Sequence, residues 1–333
     1  MKTVLVSRPG GIDALEVVDR PEPLPGPGEV QIRAAAFGVS TPDVLIRKGV
    51  YKWMPPLPAN PGNDLAGFVS ALGAGVSGVG VGARVLLSAR DLPQRGGCYA
   101  EVVVAPADAV HVLEPHVDLE SAVCLPNYQV AQALLQECRH PRALPSILVV
   151  GAAGGVGTAL TQLARRMNLR VIGTVSTREK AGFARANGVD DVIFYRDEPV
   201  VDRVLQLTDG QGVGAIFDHA GGPDFVGYLG ALGKWGTLVT YNAFAPLPEQ
   251  NVVAALREHM AMCPMVRTFS FHIYDHDRDG RRALMREVIG ALARGEIRPP
   301  VATRIPITEV RRAHALLESG TALGKILMVP GGA

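Results

Sequence analysis

Cysteine is scarce in this chain. Only four occur, Cys98, Cys124, Cys138 and Cys263, and no two form a Cys-x-x-Cys pair. That excludes a disulfide framework and a zinc ribbon as organising devices. Long apolar runs are missing as well, since none approaches the roughly 18 residues of a membrane span. The opening Met1-Lys2-Thr3-Val4-Leu5-Val6 is too short for a secretory core and runs into Arg8-Pro9-Gly10. The cytoplasm is therefore the expected compartment, with no membrane partner. A charge of one sign is lacking too: 33 basic side chains against 32 acidic ones leave a formal net charge of +1. Such a surface has no bias toward nucleic acid or acidic lipid. There is no low-complexity tract and no repeat of roughly 20–50 residues.

What is present is a globular chain of 333 residues, 47% hydrophobic, with 38 glycines and 25 prolines. The length suits two domains. The glycine and proline content suits many tight turns. The first third is β-rich, with short runs at Val30–Ala34, Gly67–Leu72 and Arg84–Leu87 and a Gly/Val turn region from Gly73 to Gly82. The pattern changes near residue 121. Ala131–Cys138 has helical spacing of apolar positions, and Ser146–Val150 is a compact strand. A glycine turn and a helix through Met167 follow. Strands at Arg170–Val175, Asp191–Phe194, Ala215–Asp218 and Thr237–Tyr241 then alternate with helices, the first over Arg178–Asn187 and closed by Gly188. This rhythm predicts a parallel sheet covered by helices. The tail departs from it. A strand is expected over Val266–Ile273, helices over Gly280–Arg294 and Glu309–Ser319, and a last strand over Lys325–Val329. The expected fold class is α/β: a doubly wound Rossmann sheet over 122–266, inserted in a β-rich domain made of 1–121 and 267–333.

The main chemical motif is Val149-Val150-Gly151-Ala152-Ala153-Gly154-Gly155-Val156-Gly157, between a strand and a helix. Ala152, Gly154 and Gly157 keep the dinucleotide fingerprint spacing, with Ala at the first glycine position. Small residues there let the backbone approach a pyrophosphate, and the helix N-terminus offers that anion free N–H groups. The competing reading is a turn that serves close packing alone. The next strand ends Thr174-Val175-Ser176-Thr177-Arg178-Glu179-Lys180. An NAD site places an acid at this strand end, for the ribose hydroxyls. Here Ser176, with Arg178 and Lys180 beyond, suits a 2′-phosphate instead, so the expected cofactor is NADPH. Arg178 and Lys180 as ordinary solvated helix residues is the plain alternative.

These residues, with Phe37-Gly38-Val39-Ser40 and Asp43, Arg47-Lys48-Gly49-Val50-Tyr51, Asn60-Pro61-Gly62-Asn63-Asp64-Leu65-Ala66-Gly67, Leu238-Val239-Thr240-Tyr241 and Gly324-Lys325-Ile326, carry a resemblance over nearly the whole chain. It resembles the zinc-free branch of the medium-chain dehydrogenase/reductase superfamily, near zeta-crystallin-like quinone oxidoreductases and 2-enoyl thioester reductases. The resemblance implies a GroES-like catalytic domain around the Rossmann domain. In its zinc alcohol dehydrogenases a Cys precedes the Asp of the first motif and a Gly-His-Glu triplet follows the Pro. Here Ser40 and Gly62-Asn63-Asp64 stand at those places. Ser and Asn are poor zinc ligands, so no metal is expected. The resemblance assigns the adenosine phosphate to Ser176, Lys180 and Tyr195. It brings Asp218–Gly222, including Ala220, and Tyr241-Asn242-Ala243 to the nicotinamide end. It adds Ser40, Asn127, Gly155, Val156 and Lys325 as cofactor neighbours, and Val130 where the family carries Thr. Tyr195 as simple strand-end packing is the alternative for that residue.

The expected reaction is hydride transfer from NADPH to a quinone or to an activated C=C bond in an enone, enal, acrylate or enoyl thioester. The second needs an oxygen-stabilising donor and a proton. The resemblance points to Tyr51 for this catalytic role, with pocket wall beside Trp53 and Met54 as its alternative. His219, His272 and His276 fit no metal-ligand spacing and are expected to make single polar contacts. A non-catalytic, crystallin-like NADPH binder is the rival function. A homodimer is expected through the edge strand Val266–Ile273, whose Phe269, Phe271 and Ile273 are expected to be exposed and to invite pairing.

Overall fold

The computed structural model describes residues 1–242 and 246–331. They form two compact units, Met1–Pro126 joined by the chain from Met285 onward, and Asn127–Leu284. No helix among the described residues is long and apolar enough to cross a membrane.

In the first unit, β1 (Lys2–Leu5) and β2 (Glu16–Asp19) form an antiparallel pair. There follow β3 (Glu29–Gly38), β4 (Asp64–Leu72), β5 (Arg84–Ser88), β6 (Val102–Pro106) and β7 (Val110–Val112). The second unit supplies β8 (Ser146–Val149), β9 (Arg170–Val175), β10 (Asp191–Phe194), β11 (Val213–Asp218), β12 (Leu232–Thr240) and β13 (Met265–Thr268). The chain then returns with β14 (Val301–Pro306) and β15 (Lys325–Val329).

The return is made by hydrogen bonding. β15 pairs antiparallel with β3 and parallel with β14, giving the order β14-β15-β3-β4-β5-β7 with β6 also on β3. Alternate side chains of β3 point inward, so Val30, Ile32 and Phe37 pack with Leu65, Val85, Leu87, Ile305, Ile326 and Met328 in one core. Burying each such side chain contributes about 1.5–3 kcal/mol.

The second unit is a six-stranded, wholly parallel sheet in the order β10-β9-β8-β11-β12-β13. Numbered from its own first strand this is 3-2-1-4-5-6, the Rossmann order. β8 and β11 are buried along their full length, as strands covered on both faces must be. The order reverses between β8 and β11. Such sheets bind ligands at the carboxyl ends beside that reversal.

Four expectations need correction. The strand foreseen over Val266–Ile273 stops at Thr268, and Phe271–Tyr274 is a 3-10 turn. Ser270 starts that turn by accepting a hydrogen bond from the His272 N–H at 3.4 Å. β13 does lie at the sheet edge. Phe269 and Phe271, expected to face outward there, are instead buried, while Ile273 is exposed. Residues 267–284 belong with the parallel sheet rather than with the β-rich unit, because β13 pairs with β12 and Gln129 Nε2 bonds the Arg281 carbonyl at 2.8 Å. The helix expected from Ala131 starts at Leu125.

The helix Thr41–Lys48 is locked to the helix Val310–Ser319 by charge. Arg47, only 1% exposed, donates to Glu318 Oε2 at 2.8 Å, and Lys48 Nζ lies 2.7 Å from Glu318 Oε1. These bonds hold the Glu318 carboxyl down at about 2. Relative to its ordinary 4.5, this is stability fully present above pH 4.5 and lost as pH falls toward 2. Glu318 is partly solvated, which screens the effect. Glu318→Gln should therefore cost about 1–2 kcal/mol at pH 7. Urea unfolding of both proteins should show that gap at pH 7 and a clearly smaller one near pH 3.

Candidate active site

The dinucleotide cradle begins where β8 ends. The Val150 N–H donates to the Phe217 carbonyl at 3.0 Å, and the Ala152 N–H to the Thr174 carbonyl at 3.0 Å. The chain thus bridges β11 and β9 as it leaves the sheet. Gly151 takes φ +71°, which favours glycine. A Cβ on Gly157 would lie 2.5 Å from the Gly151 carbonyl oxygen, so the helix Gly155–Arg166 can close on the turn only with glycine there. Gly154 precedes that helix in extended conformation, and no side chain caps its N-terminus. Gly154 and Gly155 are exposed, Ala152 and Gly157 buried and Val156 half-buried. Burial divides the motif into two sets of residues. Gly157 and Ala152 pack, while Gly154, Gly155 and Val156 present an uncapped helix N-terminus, which suits a pyrophosphate.

Asn127 lies against this cradle. Its Nδ2 would be 2.6 Å from a Cβ on Gly155. Val130, one turn further along the same helix, is half-buried. At the other side of β8, β9 ends at Val175 and β10 at Phe194, paired in register. The Tyr195 N–H continues the ladder to the Val175 carbonyl at 3.3 Å. Ser176 and Tyr195 therefore leave the sheet side by side. Thr177 caps the next helix, its hydroxyl accepting from the Lys180 N–H at 3.2 Å. This sets Lys180 in the first turn, above the same strand end. Neither Arg178 nor Lys180 makes an ion pair among the described residues, and no carboxylate closes β9.

The ends of β11 and β12 also meet. The buried Asp218 carboxylate accepts from the Ala220 N–H at 2.7 Å and the Gly221 N–H at 3.2 Å. Burial raises its pKa, partly offset by these bonds. The Tyr241 N–H donates to the Asp218 carbonyl. Asn242 is exposed, and Ala243 lies outside the described residues. His219 bonds one backbone carbonyl and His272 pairs with Asp275 at 2.8 Å. No cluster of three or more His, Cys, Asp or Glu with metal-binding geometry occurs among the described residues.

In the first unit, sequence reasoning missed a buried polar network. Asp43, fully buried, accepts five hydrogen bonds: the Ser40 N–H (2.8 Å) and hydroxyl (2.7 Å), the Gly62 N–H (3.1 Å), Asn63 Nδ2 (2.7 Å) and the Tyr99 hydroxyl (3.2 Å). Ser40 and Asn63 are thus both spent on one carboxylate. Beside it, Lys325 Nζ lies 3.9 Å from Asp64 Oδ2, both side chains 7% exposed. Gly38 makes room for this lysine, since a Cβ there would come 2.9 Å from Lys325 Cε. Ser40 and Lys325 are brought close by the bond from the Val39 N–H to the Ile326 carbonyl. Tyr51 lies in the chain just beyond the helix Thr41–Lys48. Tyr51 is half-buried with its ring 5.7 Å from that of Trp53.

Two family models match the chain, one described as an alcohol dehydrogenase GroES-like domain over residues 26–115, the other as a zinc-binding dehydrogenase over 187–328. A quinone oxidoreductase of Pseudomonas aeruginosa is 32% identical, over 96% of this chain and 97% of its own. The chain belongs to the zinc-free medium-chain dehydrogenases/reductases. Among solved structures, Escherichia coli quinone oxidoreductase complexed with NADPH has a TM-score of 0.84 at 28% identity, covering 99% of this chain and all of that one. A 2-haloacrylate reductase has a TM-score of 0.82 at 26% identity, with full coverage of both chains. This member of the family is a nicotinamide-dinucleotide oxidoreductase.

Burial pushes the Asp64 carboxyl up to about 6, against the pull of Lys325. The folded chain therefore keeps a proton that the unfolded chain releases near 3.8. For this group, stability is greatest below pH 4 and falls as pH rises from about 4 to about 6. In Asp64→Asn that fall should disappear. Urea-unfolding free energies at pH 4, 5, 6 and 7 should give a flatter profile for the variant. Parallel profiles would show that Asp64 ionises normally.

Proposed function

We propose that this oxidoreductase uses NADPH to reduce quinones or C=C bonds activated by a carbonyl. The observation that carries the cofactor choice is the end of β9. It lacks the acid that a ribose diol needs, and it gathers Ser176, the uncommitted Lys180 and Arg178, and Tyr195 from the neighbouring strand. A 2′-phosphate, with its double charge, fits such a set of donors and cations. The NADPH complex of the Escherichia coli relative supports the same reading. Gly154, Gly155 and Val156 would meet the pyrophosphate. Ala152 and Gly157 let them approach. Asn127, Val130, Ala220, Tyr241 and Asn242 would flank the rest of the dinucleotide. When bound, the cofactor supplies the hydride.

The residues of the chain then have two tasks. They must hold the acceptor against the nicotinamide, and they must stabilise the negative oxygen that hydride addition creates. Quinone reduction, the activity named for several relatives, needs mainly the first. Reduction of an activated C=C bond, which the 2-haloacrylate reductase neighbour favours, needs both. Tyr51 is the group for the second: a phenol on a half-buried loop can donate to a carbonyl oxygen and pass a proton. Ser40 and Asn63 are tied to Asp43 and are not available for that work.

A panel of quinones, 2-alkenals, acrylates and enoyl thioesters, scored by NADPH oxidation, tests the substrate class. Lys180→Ala should weaken NADPH about tenfold or more, the scale of one charge-assisted contact, with NADH little changed. Equal affinity of the wild type for both cofactors would remove the basis of the assignment.

Tyr51→Phe keeps the ring and deletes the hydroxyl. The rate with a good enone should fall about 10²–10³-fold, the usual scale for one oxyanion donor. NADPH affinity should hold, and quinone reduction should fall less. Unchanged enone turnover would make Tyr51 pocket wall and favour plain quinone reduction.

A further inference from the structure

His219 stands at the reversal of strand order, one residue past β11. Its Nδ1 lies 3.1 Å from the carbonyl oxygen of Val150. A carbonyl can only accept, so Nδ1 carries the hydrogen. In the neutral imidazole, Nε2 is then an acceptor with a free lone pair. The Cε1 corner of the ring lies against Gly151. A Cβ on Gly151 would meet His219 Cε1 at 2.5 Å, Nδ1 at 3.0 Å and Nε2 at 3.4 Å. The glycine turn thus begins under an imidazole that only a glycine can accommodate. His219 is half-buried, and Nε2 has no hydrogen-bond partner among the described residues. The ring is fixed at one nitrogen and open at the other.

The neighbours of Gly151 say which part of a dinucleotide would meet it. The Gly151 N–H donates to Thr174 Oγ1 at 3.0 Å, two residues before Ser176 on β9. Through Gly151, His219 is therefore joined to the strand end assigned to the adenosine 2′-phosphate. The charged group beside the ring is Asp218, whose carboxylate is turned to the Ala220 and Gly221 N–H groups. Nothing acidic competes for Nε2.

We propose that His219 Nε2 accepts a hydrogen bond from a hydroxyl of the adenosine ribose, making His219 a cofactor-binding residue on the adenosine side of the turn, not at the nicotinamide end to which the family resemblance assigns the segment Asp218–Gly222. The inference rests on the NADPH reading. It is tested by binding rather than turnover, with NADPH, adenosine 2′,5′-bisphosphate and reduced nicotinamide mononucleotide as ligands, by calorimetry on wild type and His219→Leu. One neutral hydrogen bond corresponds to about a 3- to 10-fold loss. That loss is expected for NADPH and for the bisphosphate, with the mononucleotide unchanged. His219→Gln, which can both donate to Val150 and offer a carbonyl oxygen, should recover part of it, and it serves if the leucine variant unfolds. Wild-type affinity of His219→Leu for the bisphosphate, or a loss confined to the mononucleotide, would overturn the proposal. Failure of the wild type to bind NADPH or the bisphosphate would overturn instead the cofactor reading beneath it.

Discussion

The Asp43 carboxylate is the tie on which the first unit is assembled. It is fully buried and takes donors from the start of one helix, from the Gly62-Asn63 loop and from Tyr99. A buried carboxylate is costly unless its lone pairs are satisfied, and here every one has a donor. Removing the acid would strand those donors together, each at about 1–3 kcal/mol. Ser40 and Asn63 are both bonded to Asp43 and serve this network. Their neighbours Asp64 and Lys325 remain as a loose, nearly buried pair.

The second unit depends on a different constraint, the closeness of backbone to backbone at the glycine turn. Gly151 must pass beneath His219, Gly157 must clear the Gly151 carbonyl, and Gly155 must leave space for the Asn127 amide. Each approach is shorter than a side chain allows. Together they leave an uncapped helix N-terminus between the ends of β9 and β11, where a parallel sheet reverses its order. The close packing of Gly157 on Gly151 and the open N–H groups of the helix start thus lie within one short turn.

Much of this was legible in the sequence. β9, β10 and β15 have the limits their apolar patterns predict, since each is short and bounded by turn residues. The glycine spacing announced the tight turn between β8 and the following helix. The misreadings have physical causes. Phe269 and Phe271 looked like an outward strand because alternation alone does not show that the chain turns at Ser270. The Asp43 network was invisible because its donors lie up to 56 residues away, and spacing patterns detect only local partners.

The sequence by itself determined the periodic elements, the wound order of strands and the residue types at the strand ends, because these follow from local pattern and from chirality. The tertiary structure alone decided which polar groups were spent and which were left open. Ser40 and Asn63 look available in the sequence and are bonded in the fold. His219 looks ordinary and is held at one nitrogen with the other free. Hydrogen-bond satisfaction is a property of three-dimensional neighbours, and no local pattern of residues encodes it.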